Sequence, residues 1–414
     1  MADPRDSRSS SGAAQDGVRA GVGSTGPLSG LLVADFSRIL AGPYATMLLG
    51  DLGADVVKVE SPGGDDTRTW LPPTRGDLAT YYLAINRNKR SVVLDFKDEA
   101  ELALAQELAA RADVFIENFK PGSLKRFGLD YDSVAKANPG IIYSSISGFG
   151  SAGGASLPGY DLIVQAMSGL MSLTGDPEGN AYRAGISVFD VLAGLHSAIG
   201  ILASLHHRGL TGQGQHIEAS LMASAMSGLV NQTSAYVAGG VVPGRMGNAH
   251  VSLFPYEPLP TADGDLIIAA GNDTQFRRLC EVLGAHELAD DERFARTGDR
   301  TEHREALRPL LVEKLKKRTS AEWFEALNKA GVPNGPINTV GEGVEYAAKL
   351  GLEPVVKVGH GDGAVDGVRH PLSFSAAAPR YDRPPPTLDA DGDEVRAWLA
   401  TPREQAGKLP EERS

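Results

Sequence analysis

LLVADFSRILAGPYATMLLGDLGADVVKVE, residues 31–60, contains the pattern from which the fold can be inferred. Short apolar and β-branched runs, LLVADF and DVVKVE, stand at its two ends, and the helical stretch TMLLGDLGA lies between them. Runs that are apolar on both faces are typical of strands in a parallel sheet covered on both sides. Gly42 and Pro43 suit the start of the helix, because proline is tolerated in the first helical turn. The stretch therefore predicts a strand, a helix and a second strand.

The same alternation continues along the chain. Three further strand candidates follow: SVVLDF (91–96), DVFIENF (113–119) and IIYSSISGF (141–149). Strands alternating with helices predict an α/β fold with a doubly wound, Rossmann-like parallel sheet. Ligands of such sheets bind at the carboxyl ends of the strands, so we expect the residues just after 94 and 116 to face a site. No G-x-G-x-x-G follows the first strand, which argues against a nicotinamide or flavin dinucleotide.

Composition and charge exclude several classes of protein. With 414 residues the chain is long enough for two domains. The net charge of −12 argues against a nucleic acid partner. No apolar run approaches the roughly 20 residues of a membrane helix, so no membrane association is expected. The nine histidines are scattered without zinc-site spacing, which predicts no metal. The single cysteine, Cys280, cannot form an internal disulfide and, with no signal peptide apparent, favours the cytoplasm.

Shifts in composition divide the chain into four predicted parts. Residues 1–26 are rich in Ser, Gly, Ala and charge without periodicity, which predicts disorder. Residues 27–224 form the large domain, with a helical segment predicted from about 217. Residues 225–330 form a smaller α+β domain that includes the strand candidate DLIIAAG and a helix opening with Thr319 and Glu322 at capping-box spacing. Residues 331–414 are strand- and loop-rich and are expected to return to the large domain before a charged tail.

The stretch RAGISVFDVLAG, residues 183–194, carries one acid, Asp190, in an otherwise apolar run. An amphipathic helix follows and is predicted to end at Gly209, which puts Asp190 at its amino end. In one interpretation Asp190 is a cap that accepts the free amides of the first turn. In the other, those amides and the helix dipole keep Asp190 ionised, and it serves as a nucleophile that forms acyl intermediates. The local sequence leaves both open.

Two other acids call for the same comparison. Asp161 in PGYDLIVQAMSGL precedes an apolar helix, and Asp35 lies in the first strand. For Asp161, capping or structural hydrogen bonding is favoured over catalysis. A structural role is favoured still more for Asp35.

Several stretches together resemble the family III CoA-transferases. They occur in the family's order and span about residues 30–390: 31–68, NKRSVVLDFK (88–97), ENFKPGSLKRFGL (117–129), PGYDLIVQAMSGL (158–170) and TGQGQHIEASL (211–221). The resemblance implies transfer of CoA between carboxylic acids and places the nucleophile at Asp190. It also implies an aspartyl mixed anhydride and an aspartyl-CoA thioester as intermediates, and a homodimer of interlocked chains.

The resemblance also implies positions that contact CoA, the co-substrate. These are Leu94, Lys97, Asn118, Phe119 and Arg126. As a set they suggest a binding site for CoA phosphates, whereas each cation taken alone is an ordinary solvated charge.

The intermediates need protection from water, for which the segment 244–256, with flexible points at Gly244 and Gly247, is the candidate lid. The alternative is an ordinary interdomain loop.

Departures from other branches of the family narrow the chemistry. Leu40 and Ser61 replace residues of the formyl-CoA branch, and its G-G-G-G-Q loop is absent, which puts formyl-CoA and oxalate chemistry in doubt. The racemase branch uses G-H-D, where this chain has Tyr160 before Asp161. Tyrosine, with a reference pKa near 10, is a poor partner for abstracting an α-proton at neutral pH. A 2-methylacyl-CoA racemase, or a CoA-binding protein without turnover, remains the alternative.

The segments 245–273 and 331–338 look most like transferases that take CoA from succinyl-CoA and give it to other dicarboxylic acids. In that case Arg245 or His250 would meet the distal carboxylate of the acyl group through a charge-assisted bond. A structural role for both is an equal alternative.

Overall fold

The structure is a computed structural model that describes residues 26–407 and residue 409. The predicted disordered segment 1–26, except Gly26, and the end of the predicted tail lie outside these residues. The strands are β1 Leu32–Asp35, β2 Asp55–Glu60, β3 Thr74–Arg75, β4 Leu78–Ala79, β5 Lys89–Val93, β6 Val114–Glu117, β7 Ile142–Ser147, β8 Gln215–Ser220, β9 Tyr256–Pro260, β10 Asp265–Ala269, β11 Asn334–Pro336, β12 Val355–Val358 and β13 Val365–Val368.

Helices separate most of these strands. They are α1 Ala41–Asp51, α2 Thr80–Ile85, α3 Glu99–Arg111, α4 Tyr131–Ala137, α5 Asp161–Met167, α6 Leu170–Leu173, α7 Val188–Thr211, α8 Leu221–Gly228, α9 Val230–Val237, α10 Asp273–Leu283, α11 His286–Asp290, α12 Thr297–Glu302, α13 Arg304–Leu315, α14 Ser320–Lys329, α15 Val340–Lys349, α16 Gly392–Ala400 and α17 Arg403–Ala406.

A six-stranded sheet forms the centre of the structure, in the order β5-β2-β1-β6-β7-β8. Every neighbouring pair in it is parallel. Counted in chain order, the six strands lie in the order 3-2-1-4-5-6, which is that of Rossmann folds. The predicted parallel α/β architecture is therefore confirmed, and the strand order reverses between β1 and β6.

Alternate residues of each strand enter separate cores on the two faces of the sheet. On one face Ala34 and Phe115 pack with α3, α4 and α16. On the other, Val33 and Val114 pack with α1, α5, α7 and α8. Both faces are apolar because both are covered, which is why the strands read as continuous hydrophobic runs.

A helix was predicted from about residue 217, but it begins only at Leu221. Residues 215–220 form β8, which pairs with β7 at the edge of the sheet. The alternating burial of this strand is a period-2 pattern too short to stand out before the apolar helix α8. The preceding helix α7 also runs past Gly209, because it is Gly212, with φ of 75°, that adopts the left-handed conformation ending it.

Helix α7 is long and apolar enough to cross a membrane by length and composition, with 24 residues and a mean hydropathy of 1.8. Among the described residues it is the one helix with this property, whereas the sequence was interpreted as having no apolar run of this length. In the structure α7 packs against α1, α8, β7 and β8. Phe189, Ala193 and Ile201 of α7 are fully buried there and contribute to the core.

A second core lies between Phe254 and Val332. It combines the antiparallel sheet β11-β10-β9 with helices α10 to α14. The predicted capping box of Thr319 and Glu322 is present at the start of α14. The region after 331, predicted to be strand- and loop-rich, also contains α15, α16 and α17. The exact division of the chain into domains stays a prediction.

The edge strand β5 is covered by the C-terminal part of the chain. The amide of Ser91 donates to Asp391 Oδ2 and the amide of Val93 donates to Asp389 Oδ1, each at 2.8 Å. Arg396 Nη1 donates to the carbonyl of Val93 at 3.1 Å. Because open strand edges invite pairing with other chains, these side chains protect the sheet.

Candidate active site

The two chain segments that leave the carboxyl ends of β1 and β6 meet where the strand order reverses. Asn118, just after β6, bonds both main-chain groups of Arg38 in the loop after β1. Its Oδ1 accepts from the Arg38 amide at 2.9 Å, and its Nδ2 donates to the Arg38 carbonyl at 2.7 Å. The Arg38 side chain is 57% exposed and pairs with Asp66 at 3.2 Å. Ligands of doubly wound sheets bind at this position, so it is the natural centre of a site.

Asp190, the third residue of α7, lies at the same edge of the sheet. The other end of α7 is fixed at the amino ends of the strands, where Arg208 Nη1 donates to the carbonyl of Gly140 at 3.1 Å. The first turns of α7 pack closely on the start of α1: a Cβ on Gly194 would lie 2.5 Å from the carbonyl oxygen of Ala41. Asp190 is therefore held beside the loop that follows β1.

Asp190 does not cap its own helix, so the first of the two interpretations of this residue is wrong. Ser187 occupies the cap position of α7 and makes no side-chain capping bond. Instead, Oδ1 of Asp161 accepts from the amides of Phe189 and Asp190, at 2.8 and 3.2 Å. Asp161, the first residue of α5, thus caps α7, and Asp190 makes no use of those two amides.

Burial raises the pKa of Asp190 to about 7, and the negative charge of Asp161 adds to the rise. The prediction that the helix amides keep Asp190 ionised is wrong. The first amides of α7 are bonded to Asp161, so they stabilise that carboxylate instead. Near neutral pH, Asp190 changes between a carboxylic acid and a carboxylate that is more basic than an ordinary aspartate.

Two residues near Asp190 were missed by the sequence analysis. Gln165 is fully buried and donates from Nε2 to Asp161 Oδ2 at 2.5 Å. Its spacing of four residues from Asp161 in an otherwise apolar helix was a usable signal. Tyr81 of α2 is the second residue: burial, and then the negative charge of Asp190, raise its pKa. Its ring meets the edge of Trp70 at 5.1 Å between centroids, and no motif marked either aromatic residue.

The remaining positions predicted to contact CoA follow β5 and β6. Leu94 comes directly after β5 and is only 2% exposed, and its amide donates to the carbonyl of Glu60 at 2.9 Å. Lys97 is exposed, and Phe119 is partly buried against the core. Arg126 is exposed, with its guanidinium 4.5 Å from the ring centroid of Phe127. Two strands separate β5 from β6, or about 14 Å across the sheet, so these residues border a long edge.

A cavity of about 170 Å³ opens beside Phe119, between the carboxyl ends of β6 and β7 and the residues His216 and Glu218 of β8. Within it, Ser145 Oγ and His216 Nε2 are hydrogen-bonded at 2.9 Å, and Tyr131 stacks on the His216 ring. Glu117 accepts the amide of Phe119 at 2.8 Å, and burial raises the pKa of Glu117 to about 7. The cavity extends the candidate site from Asn118 towards β8.

Buried ion pairs support the loop that carries Arg38. Lys89 Nζ lies 3.1 Å from Asp35 Oδ2, and Lys58 Nζ lies 2.8 Å from Asp65 Oδ2, all four side chains being at most 1% exposed. Burial alone would raise the pKa of Asp35, but the charges of Lys89 and Lys58 outweigh it and lower the pKa. Asp65 accepts the amide of Ile39, whose φ is 70°. The structural role favoured for Asp35 agrees with this network.

Comparison with known proteins identifies the family. The chain matches CoA-transferase family III over residues 28–392. The chain belongs to this family. It is 45% identical to a succinate-glutarate CoA-transferase of Agrobacterium fabrum, over 91% of this chain and 96% of that protein. It is 40% identical to an acetyl-CoA:oxalate CoA-transferase of Acetobacter aceti, over 91% of this chain and 97% of that protein. The resemblance found in the sequence is confirmed, and the chain is a CoA-transferase.

The fold of this transferase agrees with a solved structure. The crystal structure of a CAIB/BAIF family protein from Brucella suis is 45% identical and superposes with a TM-score of 0.81. The match covers 91% of this chain and all of that one. Within residues 26–407 and 409 of the transferase, no group of three or more His, Cys, Asp or Glu side chains is arranged to hold a metal ion.

The candidate lid of the transferase, residues 244–256, is bonded to residues 175–179. Arg245 donates from Nε and Nη2 to the carbonyls of Asp176 and Gly179, at 3.1 and 3.2 Å. Gly247, with φ of 61°, donates its amide to the carbonyl of Gly175 at 3.0 Å. His250 Nδ1 accepts the amide of Ser252, and its ring meets Tyr256 edge-on at 5.1 Å. Arg245 and His250 thus have partners within the chain, and the segment joins the loop before Asp190 to the second core.

Proposed function

We propose that this transferase moves CoA from succinyl-CoA to a second dicarboxylic acid, with Asp190 as the nucleophile. One observation carries the proposal: a partly buried carboxylate stands at the edge where ligands of this fold bind, in a chain that belongs to CoA-transferase family III. A relative that is 45% identical is a succinate-glutarate CoA-transferase, which supports the donor and the class of acceptor.

The proposed reaction has two symmetrical halves. The Asp190 carboxylate attacks the carbonyl carbon of the donor thioester, and the CoA thiolate leaves, which gives a mixed anhydride. The thiolate then attacks the Asp190 carbonyl, releasing the donor acid and leaving CoA as an aspartyl thioester. The acceptor carboxylate attacks that thioester and expels the thiolate, forming a second anhydride. Attack of the thiolate on the acceptor's carbonyl gives the new acyl-CoA and restores Asp190.

The environment of Asp190 suits this chemistry. Its raised pKa makes the carboxylate a better nucleophile than an ordinary aspartate, provided that it is deprotonated. Partial burial limits the access of water to the anhydride, whose hydrolysis would waste the thioester. Closure of the lid segment over the intermediate stays part of the proposal.

The exposed cations bordering the site are proposed to bind CoA. Lys97 and Arg126 would pair with its phosphates, and Asn118 and Phe119 would contact the rest of the molecule beside the 170 Å³ cavity. Leu94, which is 2% exposed, is the least accessible of the predicted contacts. This arrangement gives a basic binding surface on a chain whose net charge is −12.

A second candidate uses acetyl-CoA and oxalate. Leu40 and Ser61 argued against oxalate chemistry, but a protein that is 40% identical to this chain is an acetyl-CoA:oxalate CoA-transferase. Oxalate is itself a dicarboxylic acid, so both candidates give the acceptor a distal carboxylate. Arg245 or His250 would bind that group, which for Arg245 requires release from its present carbonyl partners.

We also propose that the enzyme is an interlocked homodimer in the cytoplasm. Apolar side chains are exposed on two helices. They are Ile199, Leu202 and Leu210 of α7, and Val340 and Tyr346 of α15. A second copy that buried them would remove a large apolar area from water. Analytical ultracentrifugation would give twice the chain mass of 43.6 kDa; a single-chain mass would contradict this.

The test of the function is mass-spectrometric. The enzyme is incubated with succinyl-CoA or acetyl-CoA and a panel of mono- and dicarboxylic acids, and new thioesters are followed. Asp190→Ala should abolish them. Asp299→Ala, which removes the carboxylate of the third residue of helix α12, should not. Without acceptor, CoA should become bound to the peptide that contains Asp190.

Other outcomes would point elsewhere. A 2-methylacyl-CoA that loses its configuration would favour the racemase, for which Tyr160, 63% exposed, is a poor proton carrier. CoA binding without any turnover would favour a binding protein. Transfer that survives Asp190→Ala would remove Asp190 from the mechanism.

A further inference from the structure

We infer that Asp161, held in place by Gln165, is a positioning residue for Asp190: it fixes the first turn of α7 and sets a negative charge beside the proposed nucleophile. The inference rests on the proposed role of Asp190. It assigns a task to two side chains that the proposed mechanism does not use.

The first step is that α7 depends on another element for its cap. A helix start leaves four amides without partners inside the helix, and a side chain at the cap position ordinarily takes one of them. Ser187 does not do so. Asp161, which lies 28 residues before Phe189 in the sequence, takes the Phe189 amide at 2.8 Å and the Asp190 amide at 3.2 Å. The position of the Asp190 main chain therefore depends on α5.

The second step is that Gln165 ties Asp161 to the segment leading into α7. Its Nε2 donates to Asp161 Oδ2 at 2.5 Å and to the carbonyl of Ile186 at 3.1 Å. Its Oε1 accepts the amide of Ala184 at 2.8 Å. Gln165 has no exposed surface, so these bonds do not compete with water. The buried side-chain amide of Gln165 thus bonds the carboxylate of Asp161 and the main chain at both ends of residues 184–186.

The third step concerns charge. Two titratable groups on neighbouring elements interact with Asp190 in the described part of the chain: Asp161 of α5 and Tyr81 of α2. Burial, and then the charge of Asp190, raise the pKa of Tyr81, so its phenol stays neutral near pH 7. Asp161 accepts hydrogen bonds from three N–H donors. Its charge therefore opposes the ionisation of Asp190 and keeps the carboxylate basic.

The two aspartates therefore have different roles. Asp161 receives the stabilisation that the helix start offers to an anion, and Asp190 is left poorly stabilised and reactive. If Asp190 held the helix amides itself, it would be a weaker base and a poorer nucleophile.

The main test is the pH profile of kcat/KM for the donor acyl-CoA at a saturating concentration of acceptor acid. Asp161→Asn keeps an oxygen for the two amides and removes the charge. We expect the acid limb of the profile to move down by about 1 pH unit, because an opposing charge has been lost. Gln165→Leu removes all three bonds without adding charge and should lower kcat about tenfold with the limb little changed.

The matched control is Asp263→Asn. Asp263 Oδ1 also accepts the first amide of a helix from a distance in sequence, that of Ser320 at 2.7 Å, but it does so at the surface, at the start of α14. This variant should leave the profile of the transferase unchanged. A shift that Asp263→Asn reproduces would be a general effect of charge and would overturn the inference.

The outcomes separate this inference from the proposed function. If Asp190→Ala remains active, the proposed function fails, and the inference fails with it. If Asp190→Ala is inactive and Asp161→Asn leaves the acid limb in place, only the inference fails. If Asp161→Asn does not fold, Gln165→Leu decides alone: a fall in kcat with the limb little changed supports the inference, and an unchanged kcat overturns it.

Discussion

The side-chain amide of Asn118 occupies both main-chain hydrogen-bonding groups of Arg38, a residue 80 positions earlier in the chain. This pair of bonds joins the ends of β1 and β6 where the strand order reverses. The loop that begins with Arg38 leads directly into α1, on which α7 and Asp190 rest. Asn118 therefore helps to fix the geometry of the candidate site.

Asn118→Ala is expected to weaken binding of the acyl-CoA more than it slows the reaction. The variant leaves the Arg38 amide and carbonyl without their partner, and the loop at the proposed CoA site loses its fixed shape. We expect KM for succinyl-CoA to rise about tenfold and kcat to fall less. Initial rates at varied succinyl-CoA and a saturating acceptor measure both.

Asn138→Ala is the control for that prediction. Asn138 Nδ2 donates to the carbonyl of Ala112 at 2.7 Å, so it also bonds main chain next to β6, but at the amino end of the strand. It should cost stability without changing KM. Equal KM values for the two variants would show that Asn118 has no particular role in binding.

Gly194→Ala should displace the nucleophile helix, whereas Gly209→Ala in the same helix should not. A Cβ at 194 would lie 2.5 Å from the Ala41 carbonyl oxygen, while at 209 nothing lies within 4 Å. We expect Gly194→Ala to lower stability by about 1–3 kcal/mol and to reduce kcat. Gly209→Ala should raise stability by up to about 1 kcal/mol, because alanine suits a helix interior better. Urea denaturation and steady-state rates would show both; a harmless Gly194→Ala would mean that α1 and α7 adjust freely.

Lys89→Met should destabilise the fold strongly. It removes a fully buried ammonium that lies 3.1 Å from Asp35 and also donates to Pro43 and Asn86. Breaking a buried ion pair leaves a charge without its partner and costs about 3–5 kcal/mol. The midpoint of guanidinium denaturation measures the loss. Lys136→Met, at an exposed position on α4, should change stability by no more than about 0.5 kcal/mol.

Asp190→Asn should abolish transfer and stabilise the enzyme at alkaline pH. The pKa of Asp190 in the folded chain, about 7, lies above its ordinary value of 3.8, so the folded state binds the proton more tightly than the unfolded state. Its contribution to stability is therefore present below about pH 4 and is lost as the pH rises through 7. Asparagine avoids this loss, so the variant should exceed the parent by about 1–3 kcal/mol at pH 8 and by much less at pH 5. Melting curves at the two pH values test this; equal differences would show that burial of the charge is not the cause.

Much of the large sheet was predictable because its strands are buried on both faces. LLVADF, DVVKVE and DVFIENF each became a strand within two residues of the predicted ends. The same reasoning missed β8, which has one sheet neighbour and only partly buried residues. It also missed α15, although Thr339 and Glu342 form a capping box at its start. That signal was present in the sequence but stood among the glycines and prolines of a region interpreted as loops.

The candidate site was predictable in position but not in its electrostatics. Asp190 stands out in sequence because a lone acid in an apolar run at a helix start is unusual. Which carboxylate receives the helix amides depends on how α5 packs against α7, and this contact between distant residues leaves no local pattern. The raised pKa of Asp190 follows from that contact and from burial, so it could be found only from the structure.

The covering of β5 has a consequence for the synthesis of this chain. Ser91 leaves the ribosome 300 residues before Asp391, which covers its amide. At about 5–20 residues per second, translation leaves this strand edge uncovered for about 15–60 s while the rest of the sheet assembles. A nascent chain, or one truncated before α16, would present the open edge to its neighbours on the same messenger. Chaperones that bind nascent chains would therefore matter most for this enzyme in the interval before its last residues emerge.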